Sequence, residues 1–339
     1  MKAFSMLNTT LAMAACGLAI TLSGQAHADV REIRVAKQYG LGYLPLMVME
    51  HEKLIEKHAK ALGLRGVTAR WLTLGGGGAS NDALLSGNVD VVGGGIGAFV
   101  TLWEKTRGGL EVKSPGALAS FPMLLNTNVP KIKSIADFAD NDKIALPAVK
   151  ISPQAVTLQA AAAKLWGFKN YARLDRLTVS MRHPDALQAL MSGQSEITAH
   201  FATPPFMNME LKDPKIHTVL NSFDVWGGPQ TATITWTTSK FADANPKLMK
   251  VFTAALEEAD RLINTDKRKA AEIYVEMTKA KGGVDFVYPI IADPQMRFTT
   301  VPENIIKFTD FKYRIGTMKI KPNTWKDLFF KNMWQQPGS

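Results

Sequence analysis

Short apolar runs rich in β-branched residues alternate with longer amphipathic stretches along most of the chain. Runs of the first kind predict strands, and stretches with apolar residues every three or four positions predict helices. The predicted strands are residues 34–37, 67–74, 89–92, 143–146, 177–181 and 231–238. The predicted helices are residues 44–62, 80–86, 96–106, 153–166, 246–264 and 267–279. Such alternation is typical of layered α/β proteins, so we expect an α/β fold.

One short pattern occurs twice. Residues 83–92 and residues 189–198 share Ala, Leu, Ser and Gly in register, and each has an acidic residue near its end. Each copy reads as a helix ended by a glycine, a tight turn and a strand. A strand-like run precedes each copy, and a loop into a helix follows it. The repeat therefore predicts two homologous α/β lobes.

Two extended stretches, residues 116–128 and 223–238, separate the copies from the rest of the chain. A chain that leaves the first lobe, builds the second and returns needs two such linking segments. We therefore predict lobe I over residues 29–125, lobe II over residues 126–224, and a return to lobe I with the C-terminal helices over residues 225–339.

The N-terminus has the features of a secretory signal. Lys2 precedes an apolar run over residues 11–22, and Ala26-His27-Ala28 is a small-x-small cleavage pattern. We predict that residues 1–28 are a signal peptide and that the protein is periplasmic. The run is shorter than the roughly 20 apolar residues of a membrane-spanning helix. Cleavage before Cys16, as in a lipoprotein, is the alternative interpretation.

The composition indicates a folded protein and argues against several kinds of site that depend on cysteine. The content of 46% hydrophobic and 21% charged residues is that of a folded, soluble protein. The single cysteine, Cys16, falls in the predicted signal, which argues against disulfides, thiolate metal sites and a cysteine nucleophile.

The formal net charge of +10 allows anionic partners, and basic residues are frequent near the C-terminus. They are Lys307, Lys312, Arg314, Lys319, Lys321, Lys326 and Lys331. Because no nucleic-acid-binding motif accompanies them, we interpret them as a solvated basic face and predict no nucleic-acid partner.

The sequence lacks the common catalytic motifs. It contains no G-x-S-x-G, no H-E-x-x-H, no phosphate-binding Walker loop and no complete G-x-G-x-x-G. We predict that the protein is not an enzyme and has no catalytic residue, no metal and no cofactor.

Ligands of open α/β sheets bind beyond the carboxyl ends of the strands. The loops at these positions are residues 38–43, 75–79, 93–97, 147–154 and 200–205. Ser152-Pro153-Gln154 has the pattern of a helix start, where backbone N–H groups favour an acidic ligand group. The glycines at 93–95 allow close approach of a ligand or, alternatively, form a flexible turn. Aromatic residues flank these loops: Tyr39, Tyr43, Phe201, Phe206 and Trp226.

Several segments together resemble a known family. They are residues 33–40 (IRVAKQYG), the doubled A-L-x-S-G pattern, residues 245–250 (NPKLMK), residues 254–259 (AALEEA), and the tail segments 310–316 and 325–329. In this order the chain resembles the solute-binding proteins of ABC importers in the nitrate, sulfonate and taurine group (NitT/TauT). The resemblance implies a type II periplasmic-binding fold, in which two α/β lobes on two crossover segments close on a ligand by a hinge motion.

The resemblance also implies a function and a site. The expected function is capture of a small anionic or aromatic organic molecule and its delivery, by a monomer, to an inner-membrane permease with its cytoplasmic ATPase. The expected ligand-binding residues are Gln38, Tyr39, Gly40, Tyr43, Gly94, Gly95, Ile96, Ser152, Pro153, Gln154, His200, Phe201, Thr203 and Trp226. Pro153 and Gln154 depart from the small, hydroxyl-rich loops of the sulfonate binders, which argues against taurine or a simple sulfonate.

Two other functions remain open on the sequence. Relatives of the family include a pyrimidine-precursor synthase and small lyases, although the synthase's cysteine-rich motif is absent here. A ligand-sensing subunit that docks on a receptor is the third possibility.

Overall fold

Two β-sheets organise residues 31–339, the part of the chain that the computed structural model describes. The predicted signal peptide lies outside the described residues. The strands are β1 (Glu32–Lys37), β2 (Thr68–Thr73), β3 (Val91–Gly95), β4 (Val112–Lys113), β5 (Ala117–Ser120), β6 (Leu124–Thr127), β7 (Ile144–Leu146), β8 (Thr178–Ser180), β9 (Ala199–Ala202), β10 (His217–Asn221), β11 (Thr231–Thr238) and β12 (Arg297–Phe298).

Helices cover the faces of both sheets. They are α1 (Leu44–His51), α2 (Leu54–Ala61), α3 (Gly77–Leu85), α4 (Ile96–Lys105), α5 (Pro153–Trp166), α6 (His183–Ser192), α7 (Phe206–Glu210), α8 (Ser222–Trp226), α9 (Ser239–Ala244), α10 (Pro246–Thr265), α11 (Lys267–Thr278), α12 (Gly283–Ala292) and α13 (Ile305–Arg314). No helix among residues 31–339 is both long and apolar enough to span a membrane.

The two sheets share one arrangement. In the first sheet the order is β12-β5-β11-β3-β1-β2, with β4 paired to β11, and in the second it is β10-β6-β9-β7-β8. In the first sheet β2, β1 and β3 are parallel and β11 is antiparallel to β3. In the second, β8, β7 and β9 are parallel and β6 is antiparallel to β9. This confirms the two similar α/β lobes that the repeat predicts.

The repeat itself has the predicted form. α3 is followed by Gly87 and α6 by Gly193, and both glycines have a positive φ (71° and 62°) that ends the helix with little strain. β3 and β9 then follow; β3 is parallel to β1, and β9 is parallel to β7.

The chain passes between the sheets twice. β5 belongs to the first sheet and β6 to the second, so the outward passage is residues 121–123. The return runs from β10 through α8 to β11. The outward passage lies within the predicted segment 116–128, and the return overlaps the predicted segment 223–238. The residue-level lobe boundaries stay predictions.

Three local predictions need correction. The helix predicted over residues 44–62 is two helices, because Lys53 between them adopts a left-handed conformation (φ 51°). The helix predicted to begin at Ser80 begins at Gly77. The glycines at 93–95 do not end the strand but form its buried second half.

The physical reason for those strand glycines is packing. A Cβ on Gly93 would overlap the side chain of Leu46, and a Cβ on Gly94 would lie 2.8 Å from the Gln38 side-chain nitrogen. Any larger residue would push α1 and Gln38 away from the sheet. One more expectation changes: Lys312 is only 2% exposed, so it is not part of the solvated basic face.

Candidate functional site

A cavity lies between the two sheets, where the carboxyl ends of their parallel strands meet. The volume open to a water-sized molecule there is about 30 Å³, within about 560 Å³ of space that includes gaps between atoms and open solvent. The first lobe contributes Gln38, Tyr39, Gly42, Tyr43, Gly75, Gly77, Gly95, Ala98, Ala232 and Thr233; the second contributes Pro147, Ser152, Pro153, Gln154, His183 and Thr203; Phe121 and Met123 come from the outward passage. Such convergence of two lobes is typical of a small-molecule site.

The first-lobe wall is set by the end of β1. Gln38 is buried, and its side-chain nitrogen donates to the Ser80 hydroxyl at 3.2 Å. The Ser80 hydroxyl in turn donates to the Gly76 carbonyl oxygen at 3.1 Å, which fixes both side chains. Burial raises the pKa of the Tyr43 phenol, so this group is a neutral O–H at any physiological pH.

The second-lobe wall is set by the start of α5. Ser152 caps the helix by accepting the Ala155 N–H at 3.2 Å, and Pro153 occupies the first helical position. Pro153 has no N–H and the N–H of Ala155 is used by the cap. Few donors are therefore left at this helix start for an acidic ligand group.

A buried row of hydrogen bonds leads from the cavity into the second lobe. The Gln154 side-chain nitrogen contacts His183 Nε2 at 3.2 Å, and His183 Nδ1 contacts His200 Nε2 at 2.7 Å. His200 Nδ1 contacts Glu210 Oε1 at 2.5 Å. We call Gln154, His183, His200 and Glu210 the histidine chain. It connects the cavity wall to a carboxylate that is fully buried.

His183 is the member of the histidine chain that both lines the cavity and titrates. Burial lowers its pKa well below the ordinary histidine value, so the ring is neutral. Both ring nitrogens already have hydrogen-bond partners, and Phe206 stacks on the ring at 5.4 Å. This geometry holds the ring in place.

Glycines let the two lobes approach closely. A Cβ on Gly76 would lie 2.6 Å from the Pro147 carbonyl oxygen, and one on Gly95 would lie 2.7 Å from Pro153 Cδ. A Cβ on Gly97 would lie 3.1 Å from the Ile151 carbonyl carbon and closer still to its oxygen. Each pair joins a first-lobe glycine to the loop that precedes α5, or to its first residue, in the second lobe.

Eight of the fourteen residues expected to bind ligand line the cavity: Gln38, Tyr39, Tyr43, Gly95, Ser152, Pro153, Gln154 and Thr203. Gly40 instead lines a neighbouring groove of about 470 Å³ that shares Gln38 and Tyr39 with the cavity.

The other five lie behind the wall. Gly94 packs against Gln38 and Trp236, and Ile96 and Phe201 are fully buried in the core. His200 reaches the cavity only through His183. Trp226 is buried against Phe308, and its indole N–H donates to the Thr157 hydroxyl at 2.9 Å.

Six lining residues fall outside the loops that the sequence selects: His183, Phe121, Met123, Ala98, Ala232 and Thr233. His183 follows β8, and the carboxyl-end rule would have found it had the loop after residues 177–181 been included. Phe121 and Met123 lie in a segment that the sequence marks only as a linker, so nothing local indicates that they face a cavity.

The described part of the chain holds no cluster of three or more His, Cys, Asp or Glu side chains suited to a metal ion. Of the described residues, none that lines the cavity carries a charged side chain. The walls are therefore neutral, with aromatic and amide groups as their main features.

No protein-family model and no curated protein matches this sequence. Solved structures share its fold at low identity. The alkanesulfonate-binding protein SsuA of Xanthomonas axonopodis, bound to MOPS, has a TM-score of 0.66 and 16% identity, over 86% of this chain and 95% of that one. The periplasmic aliphatic sulphonate binding protein SsuA of Escherichia coli gives 0.64 and 17%, over 90% and 99%.

The periplasmic nitrate-binding protein NrtA of Synechocystis gives a TM-score of 0.65 and 12% identity, over 91% of this chain and 88% of that one. These similarities confirm the predicted type II periplasmic-binding fold of two α/β lobes.

Proposed function

We propose that this protein is the extracytoplasmic solute-binding component of an ABC importer. It captures a small organic molecule between its lobes and delivers it to a membrane permease that a cytoplasmic ATPase drives. The observation that supports this most is the cavity itself, which every parallel strand of both sheets helps to wall at its carboxyl end. The sulfonate and nitrate binders that share the fold support the same role.

The cavity is better suited to binding than to catalysis. His183 has both ring nitrogens hydrogen-bonded, so it has no free nitrogen to act as a general base. The Ser152 hydroxyl is the helix cap and has no adjacent base of its own. Polar groups fixed in this way orient a ligand without transforming it.

Closure of the lobes completes the proposal. The outward passage is only three residues long, and the return runs through α8, so both can act as hinges. The glycines that face the loop before α5 permit the close approach of a closed form. We propose that the protein works as a periplasmic monomer, with its signal peptide removed.

The test is native mass spectrometry of the purified protein, followed by thermal melting with a broad panel of small metabolites. A ligand at ~100 times its dissociation constant stabilises the fold by roughly 2.7 kcal/mol, which raises the melting temperature by several degrees. The ligand should be recovered with unchanged mass, and small-angle scattering should show a smaller radius of gyration. A panel that leaves the melting curve unmoved, or a ligand that is chemically altered, would refute the proposal.

A further inference from the structure

We propose that the histidine chain fixes Gln154 as a hydrogen-bond acceptor toward the cavity, so that the solute is an uncharged molecule presenting an N–H or O–H group there. This inference rests on the proposed function and names the class of solute. It makes Gln154 a specificity-determining residue and Glu210, two hydrogen bonds deeper than the wall, a positioning residue.

The first step is the orientation of Glu210. Its Oε2 atom accepts the Asn126 side-chain N–H at 2.8 Å, and the Asn126 carbonyl oxygen accepts the Thr218 hydroxyl at 2.7 Å. Asn126 is thereby held with its amide nitrogen toward the carboxylate. The other carboxylate oxygen, Oε1, remains for His200.

The second step counts protons. Each contact along the histidine chain needs one hydrogen, and the N–H₂ of an amide can only donate. Gln154 therefore donates to His183 Nε2 across the 3.2 Å contact, so His183 carries its hydrogen on Nδ1 and donates to His200 Nε2. His200 then carries its hydrogen on Nδ1 and donates to Glu210 Oε1.

The third step is the acceptor left over on Gln154, which is a residue of the cavity lining. Gln154 is 2% exposed, and its carbonyl oxygen Oε1 has no hydrogen-bond partner among the described residues. A buried acceptor without a partner costs about 1–3 kcal/mol, which a donor on a bound solute would recover. A binding site selects its ligand through such an acceptor, because a ligand without a matching donor leaves the acceptor unpaired.

Charge points the same way. The cavity lining offers neither Lys nor Arg within the described residues. Arg182, which directly precedes α6, lies beside the lining residue Gly75, since a Cβ there would be 3.0 Å from Arg182 Cγ; its guanidinium is exposed and already paired with Asp185 at 2.6 Å. A sulfonate or nitrate would bring only acceptor oxygens against Gln154 Oε1, and no lining residue carries a cation to compensate. Tyr39, Tyr43 and Phe121 suit the apolar body of an uncharged molecule instead.

The binding experiment uses probes that share one ring and differ in one polar group: primary arylamides, their N,N-dimethyl derivatives and the matching arylsulfonates. We expect wild-type protein to bind at least one arylamide at least about tenfold more tightly than its two counterparts, as one mismatched buried hydrogen bond implies. Tighter binding of a sulfonate, or of inorganic nitrate, would overturn the inference.

The decisive variant is Glu210→Gln. An amide at this position can donate to His200 Nδ1, which reverses every hydrogen in the histidine chain and turns the N–H₂ of Gln154 toward the cavity. The preference for arylamide should then fall at least about tenfold relative to sulfonate. Glu210→Asp keeps a carboxylate and should keep the wild-type preference. An equal loss for both probe classes in Glu210→Gln would show that Glu210 is merely structural.

The matched control is Gln159→Met. Gln159 lies on the same helix, is as buried as Gln154 and bonds Asp175 outside the histidine chain. Its loss should lower stability and leave the ratio of the two affinities unchanged. A changed ratio would count against the assignment to Gln154.

A measurement without any ligand separates this inference from the proposed function. Long-range ¹⁵N correlation spectra of the histidine rings in wild-type protein should show the Nδ1–H form for both His183 and His200. An Nε2–H form of His183 would overturn the inference even if a solute binds. A chain with the expected ring forms that binds no probe and no metabolite would instead refute the proposed function.

Discussion

On the proposed hinge closure, replacing Gly97 by alanine should keep the lobes from closing fully while leaving the fold of each lobe intact. Gly97 is the second residue of α4, and its Cα faces the loop that leads into α5. The added methyl carbon would lie 3.1 Å from the Ile151 carbonyl carbon and 3.2 Å from that of Ser152, and it would overlap the Ile151 oxygen. These are backbone atoms, so a rotamer change cannot relieve the overlap.

The two sides of this contact belong to different lobes, so the least costly relief is a separation of the lobes by about 1 Å. Overpacking of this kind costs about 1–3 kcal/mol, which corresponds to roughly 5- to 150-fold weaker ligand binding. The ligand-free protein should lose no stability, because alanine is favoured over glycine in a helix by up to ~1 kcal/mol. The variant therefore separates affinity from stability.

Calorimetric titration with the ligand identified by mass spectrometry, and thermal melting without it, measure the two quantities. Gly78→Ala, in the neighbouring helix α3, is the control, because a Cβ on Gly78 would meet no atom within 4 Å. Wild-type affinity in Gly97→Ala would refute the reasoning. So would a lower melting temperature with unchanged affinity, since the contact would then belong to the fold and not to closure.

Three further variants test the buried polar groups. Burial lowers the pKa of Lys312 to about 8, so between about pH 8 and 10.5 the unfolded chain binds a proton that the folded chain has released, and stability should rise with pH across that window. In urea-unfolding experiments Lys312→Met should abolish this rise and increase the free energy of unfolding at pH 7 by up to about 3 kcal/mol. Trp226→Phe removes the hydrogen bond to Thr157 and should cost about 1 kcal/mol of stability with unchanged ligand affinity. Weaker ligand binding in this variant would show that Trp226 takes part in the binding site. Ser152→Ala should cost about 1 kcal/mol of stability through loss of the helix cap and should also weaken ligand binding. The control Thr238→Ala, which uncaps α9 away from the cavity, should cost as much stability and leave ligand affinity unchanged. Thermal melting measures the stability and calorimetric titration the affinity.

The sequence by itself determined the features that depend on neighbouring residues. Ser152 and Pro153 place the start of α5 at the predicted residue, because capping and a preset φ act within one helical turn. The repeat with its glycine stops predicted two lobes of like topology. The alternation of runs predicted the α/β class, and the carboxyl-end rule directed attention to loops that do line the cavity.

Tertiary structure alone decided which side of a strand or loop each residue presents. Phe201 and Ile96 lie in loops or elements that border the site, yet both are fully buried, because their side chains point to the core. Three consecutive glycines at 93–95 are typical of a turn in sequence. In the structure Leu46 and Gln38 pack against them, and they continue strand β3 to Gly95.

The histidine chain shows most clearly what cannot be predicted from the sequence. Its members come from α5, α6, β9 and α7, and the pairing of β7 with β8 and with β9 brings these elements together. Neither spacing nor composition indicates that a glutamate at 210 is linked through two histidines to a glutamine at 154. Hydrogen-bond direction is set by partners that are distant in sequence, so only the folded second lobe shows the chemistry of this wall.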